Sequence, residues 1–435
     1  MAGPIYRTLK IDIPSRPGYL GRVAGAIGEQ GGDIGEVSLI SVNPTTTTRQ
    51  VEVSVRDAAQ LEGIISAVQQ IQGVKLIAVF DEILLAHQGG KISTVSVAPI
   101  RNLDQLRRVY TPGVANVCRA IQGNPELARL YTGIGNTVAI VTDGTAILGL
   151  GDIGPRAGMP VMEGKAALLA ELVGISGVPV LLDTKDPERI VDCVTCIAPT
   201  FGAILLEDIA SPACYAVEEQ LRSKLSIPVL HDDQHGTAVV SLAAVINACK
   251  QAGIDLGSAV VGQIGLGAAG LAIAKMLISY GASKVYGTDK KQDGLDRLAR
   301  AGGYPSTLQE IMQECDIVIS ATGVRGLIKP EWIRQGQVIL ALSNPDPEIT
   351  PEEAMAAGAV FAADGRSVNN VLGFPGLFRG VLDAGGKEFT DAMLIGAAQE
   401  IAGAAKGEEL VPNPLDTAVH RAVAARVSKI IRGEK

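Results

Sequence analysis

Alternating apolar and polar positions predict a small separate unit at the start of the chain. In residues 6–13, Ile11 and Ile13 alternate with Lys10 and Asp12, as expected of a strand with one buried face. Further apolar periods predict helices over residues 20–29 and 61–71 and strands over residues 34–42, 49–55 and 74–85. The resulting order, βαββαβ, is that of a ferredoxin-like α+β domain. We assign this domain to residues 1–88, with a glycine-containing linker over residues 88–91.

A different pattern begins after the linker. Short apolar runs at residues 138–141, 178–182 and 203–206 alternate with segments of helical period, such as residues 187–197. Strands that alternate with helices are typical of a parallel α/β sheet. We assign residues 89–230 to a first α/β domain, which would carry substrate and catalytic residues.

A glycine-rich loop follows the first strand of the next predicted series, residues 259–263. Its six positions are Gly265, Leu266, Gly267, Ala268, Ala269 and Gly270. An apolar helix comes next, and the following strand, residues 284–288, ends at Asp289. In this setting the glycines let the backbone approach a pyrophosphate, and the carboxylate can hold ribose hydroxyls. We therefore predict a doubly wound Rossmann-type domain over residues 231–435, closed by C-terminal helices.

The residues that follow the second strand of this series bear on the choice between NAD and NADP. A carboxylate at Asp289 favours NAD, because it would repel the 2′-phosphate of NADP. Lys290 and Lys291 follow directly and could offset that repulsion. We expect NAD, with NADP left open.

Composition excludes several classes of partner. The chain has 435 residues, a length typical of about three domains, and a net charge of -8. Since it carries no long basic run, we expect no nucleic-acid partner. No apolar stretch is long enough to cross a membrane, and we expect a cytoplasmic protein.

The six cysteines do not suggest a disulfide framework, because they are scattered through a long chain. Cys193 and Cys196 have the spacing of a redox or zinc half-site. They lie in a segment of helical period, and no second pair accompanies them. We interpret them as buried, unreactive thiols.

Two acidic clusters follow apolar runs that predict buried strands. Glu207 and Asp208 come after residues 203–206, and Asp232 and Asp233 come after residues 227–230. The carboxyl ends of parallel strands face one crevice, so both clusters can converge there. Carboxylate oxygens suit a hard cation such as Mg²⁺ or Mn²⁺. Either cluster alone would more often be a helix cap or a solvated turn.

Tyr110 and Lys165 supply a phenol and an amine. Taken singly, they would be a packed aromatic residue and a surface charge. Lys165, however, lies among Ala, Leu and Gly at the predicted start of a helix over residues 164–173. Burial at such a position can lower the pKa of an ammonium group.

The first 88 residues resemble the ACT family of regulatory domains through Arg16-Pro-Gly-Tyr-Leu20 and Gly31-Gly-Asp-Ile34. The resemblance implies an amino acid or similar effector at the turn after the first strand, commonly across a dimer. A purely structural dimerisation module is the alternative.

From residue 91 onward the chain resembles the malic enzymes through several motifs in the same order. They are Tyr110-Thr-Pro-Gly-Val-Ala, Thr142-Asp-Gly-Thr-Ala-Ile-Leu-Gly-Leu-Gly-Asp-Ile-Gly154, Met162-Glu-Gly-Lys165, Leu206-Glu-Asp-Ile, Asp232-Asp-Gln-His-Gly-Thr, Leu342-Ser-Asn-Pro-Asp-Pro-Glu348 and Asn369-Asn-Val-Leu-Gly-Phe-Pro-Gly376. The resemblance implies metal- and NAD(P)-dependent oxidative decarboxylation of L-malate to pyruvate and CO₂. It also implies a homodimer or higher homo-oligomer.

Carried over residue by residue, the resemblance implies a role for each matching side chain. The metal ligands would be Glu207, Asp208 and Asp233; the general base Lys165 and the general acid Tyr110; and the malate contacts Asn344 and Asn370, with Asn344 near the nicotinamide. Asp232 would orient Lys165 or a metal-bound water, and a plain structural role is equally open. Ala146 stands where longer members of the family have a substrate-binding arginine. The cation for the substrate carboxylate is therefore not identified. Arg366 could reach an anionic substrate, although an arginine in such a loop is more often solvated.

Two other functions remain open from the sequence. A malolactic reaction would keep NAD bound in the same site and return the hydride to give lactate. A catalytically degenerate protein could instead act as an effector-binding regulator through residues 1–88.

Overall fold

The computed structural model describes residues 5–434, so the outermost residues of both predicted end domains lie outside it. Contacts divide the chain into two compact units, Met1–Lys91 and Ile92–Lys435. The predicted boundaries at residues 88 and 230 remain predictions. Between residues 5 and 434, no helix has the length and apolar character needed to cross a membrane.

The first unit is built on one antiparallel sheet. Its elements are β1 (Ile5–Pro14), α1 (Tyr19–Glu29), β2 (Asp33–Val42), β3 (Thr46–Val55), α2 (Ala58–Gln69), β4 (Lys75–Phe80) and α3 (Glu82–His87). The strand order is β2-β3-β1-β4. Leu9 and Ile11 of β1 pack with Ile27 of α1 and Ile64 of α2 in a fully buried core. The ferredoxin-like arrangement predicted from the βαββαβ pattern is thus confirmed.

The last strand of this unit is shorter than the predicted residues 74–85. It ends at Phe80, and Asp81 begins a helical turn because its side chain accepts hydrogen bonds from the backbone N–H groups of Ile83 and Leu84. Asp is a strong helix N-cap, and here it decides the local structure over an apolar run.

The second unit begins with a four-stranded parallel sheet and its helices. The elements are α4 (Leu103–Val109), α5 (Val114–Gly123), α6 (Ala128–Tyr131), β5 (Thr137–Thr142), α7 (Pro155–Val173), β6 (Ser176–Leu181), α8 (Pro187–Ile197), β7 (Ala203–Leu206), α9 (Ala213–Lys224), β8 (Val229–His231) and α10 (Asp232–Ala252). The strand order is β6-β5-β7-β8. Helix α7 begins nine residues earlier than the predicted 164, so Lys165 lies in its middle rather than at its start.

A six-stranded parallel sheet follows. Its elements are β9 (Val260–Ile264), α11 (Ala268–Tyr280), β10 (Lys284–Thr288), α12 (Gln292–Arg300), β11 (Tyr304–Pro305), α13 (Leu308–Glu314), β12 (Ile317–Ser320), β13 (Val338–Ala341), α14 (Pro351–Ala356) and β14 (Phe361–Asp364), before α15 (Phe374–Ala384), α16 (Asp391–Ala404) and α17 (Thr417–Arg432). The order β11-β10-β9-β12-β13-β14 is the doubly wound 3-2-1-4-5-6 arrangement, which confirms the predicted α/β fold.

Helix α10 is apolar nearly all round and is buried along most of its length. It packs against α11 and α16 and shares one hydrophobic core with both parallel sheets. The observed start at Asp232 puts Asp232 and Asp233 in the first helical turn, where carboxylates are favoured by the helix dipole.

The interpretation of Cys193 and Cys196 as buried thiols is wrong. Helix α8 buries Ile190, Val191 and Val194, and both cysteines lie exposed on its other face. The apolar spacing identified the helix but did not decide on which side of it the thiols lie. Buried thiols occur elsewhere: burial raises the pKa of Cys249 to about 11.

Candidate active site

The register of the first parallel sheet brings the two acidic clusters together. Val141 of β5 is paired with Leu206 of β7, which in turn is paired with His231 of β8. The residues that follow these strands therefore emerge side by side at one edge of the sheet. Oxygen atoms of Glu207, Asp208 and Asp233 lie within 4.8 Å of one another.

Asp208 has an unusual backbone conformation within this cluster. Its φ is 53°, the left-handed region that non-glycine residues seldom adopt. Two hydrogen bonds hold it there: its N–H donates to Oδ2 of Asp233 at 3.0 Å, and its carbonyl accepts from Ala146 N–H at 2.9 Å. Such conformations persist where the surroundings enforce them, often at functional sites. Here the conformation keeps the Asp208 side chain in the acidic cluster.

The electrostatics of the cluster fit a divalent cation. Burial and the neighbouring Asp233 raise the pKa of Asp208 to about 7, and burial raises the pKa of Glu207 well above its ordinary value, although Lys165 opposes it. Oε2 of Glu207 is buried and has no hydrogen-bond partner within residues 5–434. Crowded buried carboxylates with a free oxygen are stabilised by a hard cation, so Glu207, Asp208 and Asp233 are suitable ligands for Mg²⁺ or Mn²⁺.

Lys165 is buried beside this cluster. Its ammonium lies 3.1 Å from Oε1 of Glu207, donates a hydrogen bond to Oδ2 of Asp232, and stands 4.3 Å from the centre of the Phe374 ring. Burial alone would lower its pKa, as expected from the sequence. The charges of Asp232 and Glu207 outweigh burial and raise the pKa instead.

Asn370 reaches the same carboxylate from a distant part of the chain. Its amide donates to Oδ2 of Asp232 at 2.9 Å, so Asp232 holds both Lys165 and a predicted malate contact. Asn344 is held differently, because its amide donates to the carbonyl of Gly365 at 3.0 Å. Arg366 is largely exposed and lies 3.6 Å from Asp364, as expected of a solvated loop residue.

Tyr110 is not brought into the cluster. It caps the end of α4 and is 66% exposed, and among residues 5–434 no hydrogen bond joins its hydroxyl to Lys165 or to the carboxylates. Apolar residues of the adjoining helix are exposed as well: Leu103 and Val109 of α4 are 68% and 41% exposed. The charged residues Asp104, Arg107 and Arg108 of the same helix are also exposed. The tyrosine therefore lies on an exposed surface that carries both apolar and charged side chains.

The glycine-rich loop forms one wall of a cavity of about 650 Å³. Gly265 adopts a φ of +87°, and a Cβ on Gly270 would stand 2.0 Å from the carbonyl oxygen of Gly265. Asp289 accepts hydrogen bonds from the N–H groups of Leu266 at 2.6 Å and Lys291 at 2.8 Å, and lines the same cavity. The cavity therefore has the glycine turn and the carboxylate that a dinucleotide requires.

Glu218 is a supporting residue that no motif or spacing in the sequence indicates. Its buried carboxylate accepts hydrogen bonds from His231 N–H, the Gln234 amide and the His235 ring, and so braces the start of α10. Burial alone would raise its pKa, but His235 and these hydrogen bonds lower it. Phe374 lies within one of the sequence motifs, but its contact with Lys165 depends on the tertiary structure.

Comparison with known proteins decides the family. Residues 6–78 match the family described as ACT domain, residues 89–222 match malic enzyme, N-terminal domain, and residues 260–345 match NADP oxidoreductase, coenzyme F420-dependent. The NAD-dependent malic enzyme 1 of Bacillus subtilis is 60% identical over 429 residues, which cover 98% of both chains. The chain belongs to the malic enzyme family.

Other members of the family agree. The NAD-dependent malic enzyme of Geobacillus stearothermophilus is 43% identical, over 89% of this chain and 85% of its own. The crystal structure of malic enzyme from Pyrococcus horikoshii superposes with a TM-score of 0.77 at 38% identity, over 81% of this chain and 90% of that one. Both resemblances seen in the sequence, to the malic enzymes and to ACT domains, are thus confirmed.

Proposed function

We propose that this protein catalyses the oxidative decarboxylation of L-malate to pyruvate and CO₂, with NAD as the hydride acceptor. The observation that carries the proposal is the direct contact between a buried amine, Lys165, and Glu207 of the acidic cluster. The dinucleotide cavity of the same unit and the 60% identity to an NAD-dependent malic enzyme support it.

In this proposal Lys165 is the general base that takes the proton of the malate C2 hydroxyl. Glu207 and Asp232 fix its position, and Phe374 covers it. NAD supplies the hydride acceptor, and a divalent cation held by Glu207, Asp208 and Asp233 would supply Lewis acidity and offset the negative charge that keeps Lys165 protonated. Asp232 acts through Lys165 and Asn370, and Asn344 and Asn370 would hold the substrate.

Tyr110 is the proposed acid that protonates C3 to give pyruvate. Because it is exposed together with Leu103 and Val109 of α4, we propose that the enzyme is a homodimer in which this surface is covered and Tyr110 enters the site of the second copy. The arrangement can be tested by mixing the inactive variants Lys165→Ala and Tyr110→Phe. If Tyr110 acts in the other copy, random dimers regain about a quarter of the activity, since half of them carry one intact site. No recovery in mixed dimers would place Tyr110 in its own chain.

The reaction itself is tested by giving the purified protein malate and Mn²⁺ with NAD or NADP. Reduced cofactor and pyruvate should form together, with NAD preferred. A bifunctional malic/malolactic enzyme of Bacillus subtilis is 40% identical over 78% of this chain and 89% of its own, so malolactic chemistry is the second candidate. Lactate without net reduction of NAD would favour that candidate.

The ACT unit is the proposed regulatory part, and its effector is a small metabolite such as an amino acid. The turn after β1 ends in Gly18, which adopts a φ of 89° at the start of α1 and leaves that helix without a side-chain cap. The first backbone N–H groups of a helix suit a carboxylate ligand. Amino acids added to the full chain should change malate turnover, and a variant lacking residues 1–88 should lose the response. The cytoplasmic location stays a prediction.

A further inference from the structure

Two turns leave neighbouring strands of the six-stranded sheet, and one buried carboxylate joins them. The first turn, residues 321–323, follows β12, and the second, residues 342–344, follows β13. Glu348 is completely buried, and its Oε1 accepts three hydrogen bonds: from Thr322 N–H and Thr322 Oγ1, both at 2.7 Å, and from Ser343 Oγ at 2.6 Å.

Ser343 closes this network. Its hydroxyl oxygen accepts from Gly323 N–H at 2.8 Å and from Thr322 N–H at 3.2 Å while its proton goes to Glu348. Beyond the end of the strand ladder, the two turns are therefore held to each other directly through Ser343 and indirectly through Glu348. The position of one turn depends on the other.

The first of these turns faces the dinucleotide cavity. Ala321 and Thr322 line it together with the glycine-rich loop, and a Cβ on Gly265 would stand 2.6 Å from the carbonyl oxygen of Ala321. The second turn carries Asn344 directly after Ser343. In a doubly wound sheet each half binds one nucleotide of the cofactor. Asp289 lies on the half that would hold the adenosine, so the turns after β12 and β13 belong to the nicotinamide half.

Burying a carboxylate costs free energy, which packing two turns together would not by itself require. Oε2 of Glu348 is buried with no hydrogen-bond partner among residues 5–434. A charged acceptor, however, makes stronger and more directional hydrogen bonds than a neutral one. That strength matters where the nicotinamide ring must be held at a fixed angle to the substrate.

We propose that Glu348 is a positioning residue for the nicotinamide end of the cofactor, acting through Thr322 and Ser343. The inference rests on the proposed function in that it takes NAD as the cofactor. It predicts that replacing the Glu348 carboxylate with a neutral group weakens binding of the nicotinamide end of the cofactor. Binding of the adenosine end should be unchanged.

The test compares the full-length Glu348→Gln variant with the wild type in binding NADH and ADP-ribose, which lacks the nicotinamide. NADH binding should weaken roughly tenfold, as expected when charged hydrogen bonds become neutral, whereas ADP-ribose binding should stay within about twofold. Malate oxidation should fall by about 10-fold to 100-fold, while Mn²⁺-dependent decarboxylation of added oxaloacetate, which needs no hydride transfer, is kept. Equal losses for both ligands, or none, would overturn the proposal.

Glu353 provides a matched control. Its exposed carboxylate also accepts from a backbone N–H, that of Thr350 at 3.1 Å, but it caps α14 and does not line the cavity. Glu353→Gln should leave both ligands unaffected. If Glu348→Gln does not fold, Ser343→Ala can be used, because it removes the Ser343 hydrogen bonds of the network. It should likewise weaken binding of NADH but not of ADP-ribose.

Failure of this inference is distinguishable from failure of the proposed function. NADH bound by wild type without malate oxidation would count against the proposed function alone, and the ratio of NADH to ADP-ribose affinities would still test Glu348. A wild type that binds ADP-ribose but no NADH would overturn both.

Discussion

The ammonium of Lys165 lies 3.1 Å from Oε1 of Glu207, so the proposed base and a proposed metal ligand share one charge environment. Without a cation, the charges of Asp232 and Glu207 raise the pKa of Lys165, and Lys165 in turn opposes the rise in the pKa of Glu207. Proton transfer and metal binding are therefore coupled in this site. A change at either residue should affect both.

We expect Lys165→Ala to lower the turnover of malate by about 10²–10⁴-fold, the usual contribution of a positioned base. Lys284→Ala, at the exposed start of β10, removes a lysine that is not part of the cluster and should retain turnover. Steady-state rates of NADH formation at saturating malate measure both. Substantial activity in Lys165→Ala would remove this residue from the base role.

Removal of metal should lower the thermal stability of the protein, because the buried Glu207 and Asp208 and the half-buried Asp233 then repel one another. Mn²⁺ at about 100 times its dissociation constant should stabilise the folded state by about 2.7 kcal/mol, a shift of several degrees in the unfolding temperature. Asp233→Asn should abolish most of that shift, whereas Asp192→Asn, on the exposed face of α8, should keep it. Calorimetric scans with chelator and with Mn²⁺ give the comparison, and an unchanged shift in Asp233→Asn would contradict the proposed ligand set.

Asp289→Asn should weaken the preference for NAD over NADP. The neutral amide can still accept a hydrogen bond from Leu266 N–H, but it no longer repels a 2′-phosphate, and Lys290 and Lys291 lie next to it. We expect the ratio of kcat/KM for NADP to that for NAD to rise about tenfold or more, as for loss of one charge repulsion. If the ratio stays constant, Asp289 does not select the cofactor.

His420 should make the protein less stable at mildly acidic pH. Burial lowers its pKa below the ordinary 6.5, and its Nε2 lies 2.8 Å from the Pro414 carbonyl. As the pH falls below the ordinary 6.5, the imidazole takes up a proton in the unfolded protein but not in the folded one. The free energy of unfolding therefore decreases. Above the ordinary pKa the stabilisation is fully present.

The matched variant for this effect is His420→Gln, which keeps an N–H donor toward Pro414 without titrating. Unfolding curves at about pH 7.5 and about pH 5.5 should show a smaller loss of stability in the variant than in the wild type. Because all other groups are common to both proteins, the difference isolates His420. If both proteins lose the same stability between the two pH values, the His420 imidazole takes up its proton equally in the folded and unfolded states.

Much of this protein is determined locally and could be predicted from the sequence. The apolar periodicity of strands and helices predicts the βαββαβ unit and both α/β series, because this periodicity depends only on residues a few positions apart. The glycine-rich loop predicted its own turn, because Gly265 needs a positive φ and Gly270 has no room for a Cβ. The acidic pairs after β7 and β8 followed from the rule that parallel strands end at one edge.

Tertiary structure decided what depends on residues far apart in the chain. The pKa of Lys165 rises rather than falls because Asp232, 67 positions away, is its hydrogen-bond partner. Exposure of Tyr110, Cys193 and Cys196 depends on what packs against their helices, which spacing alone does not specify. Glu348 acquires its proposed role only because β12 and β13 are neighbours in the sheet. Short-range periodicity fixes the elements, whereas charge and burial at a site are sums over everything that the fold brings within a few ångströms.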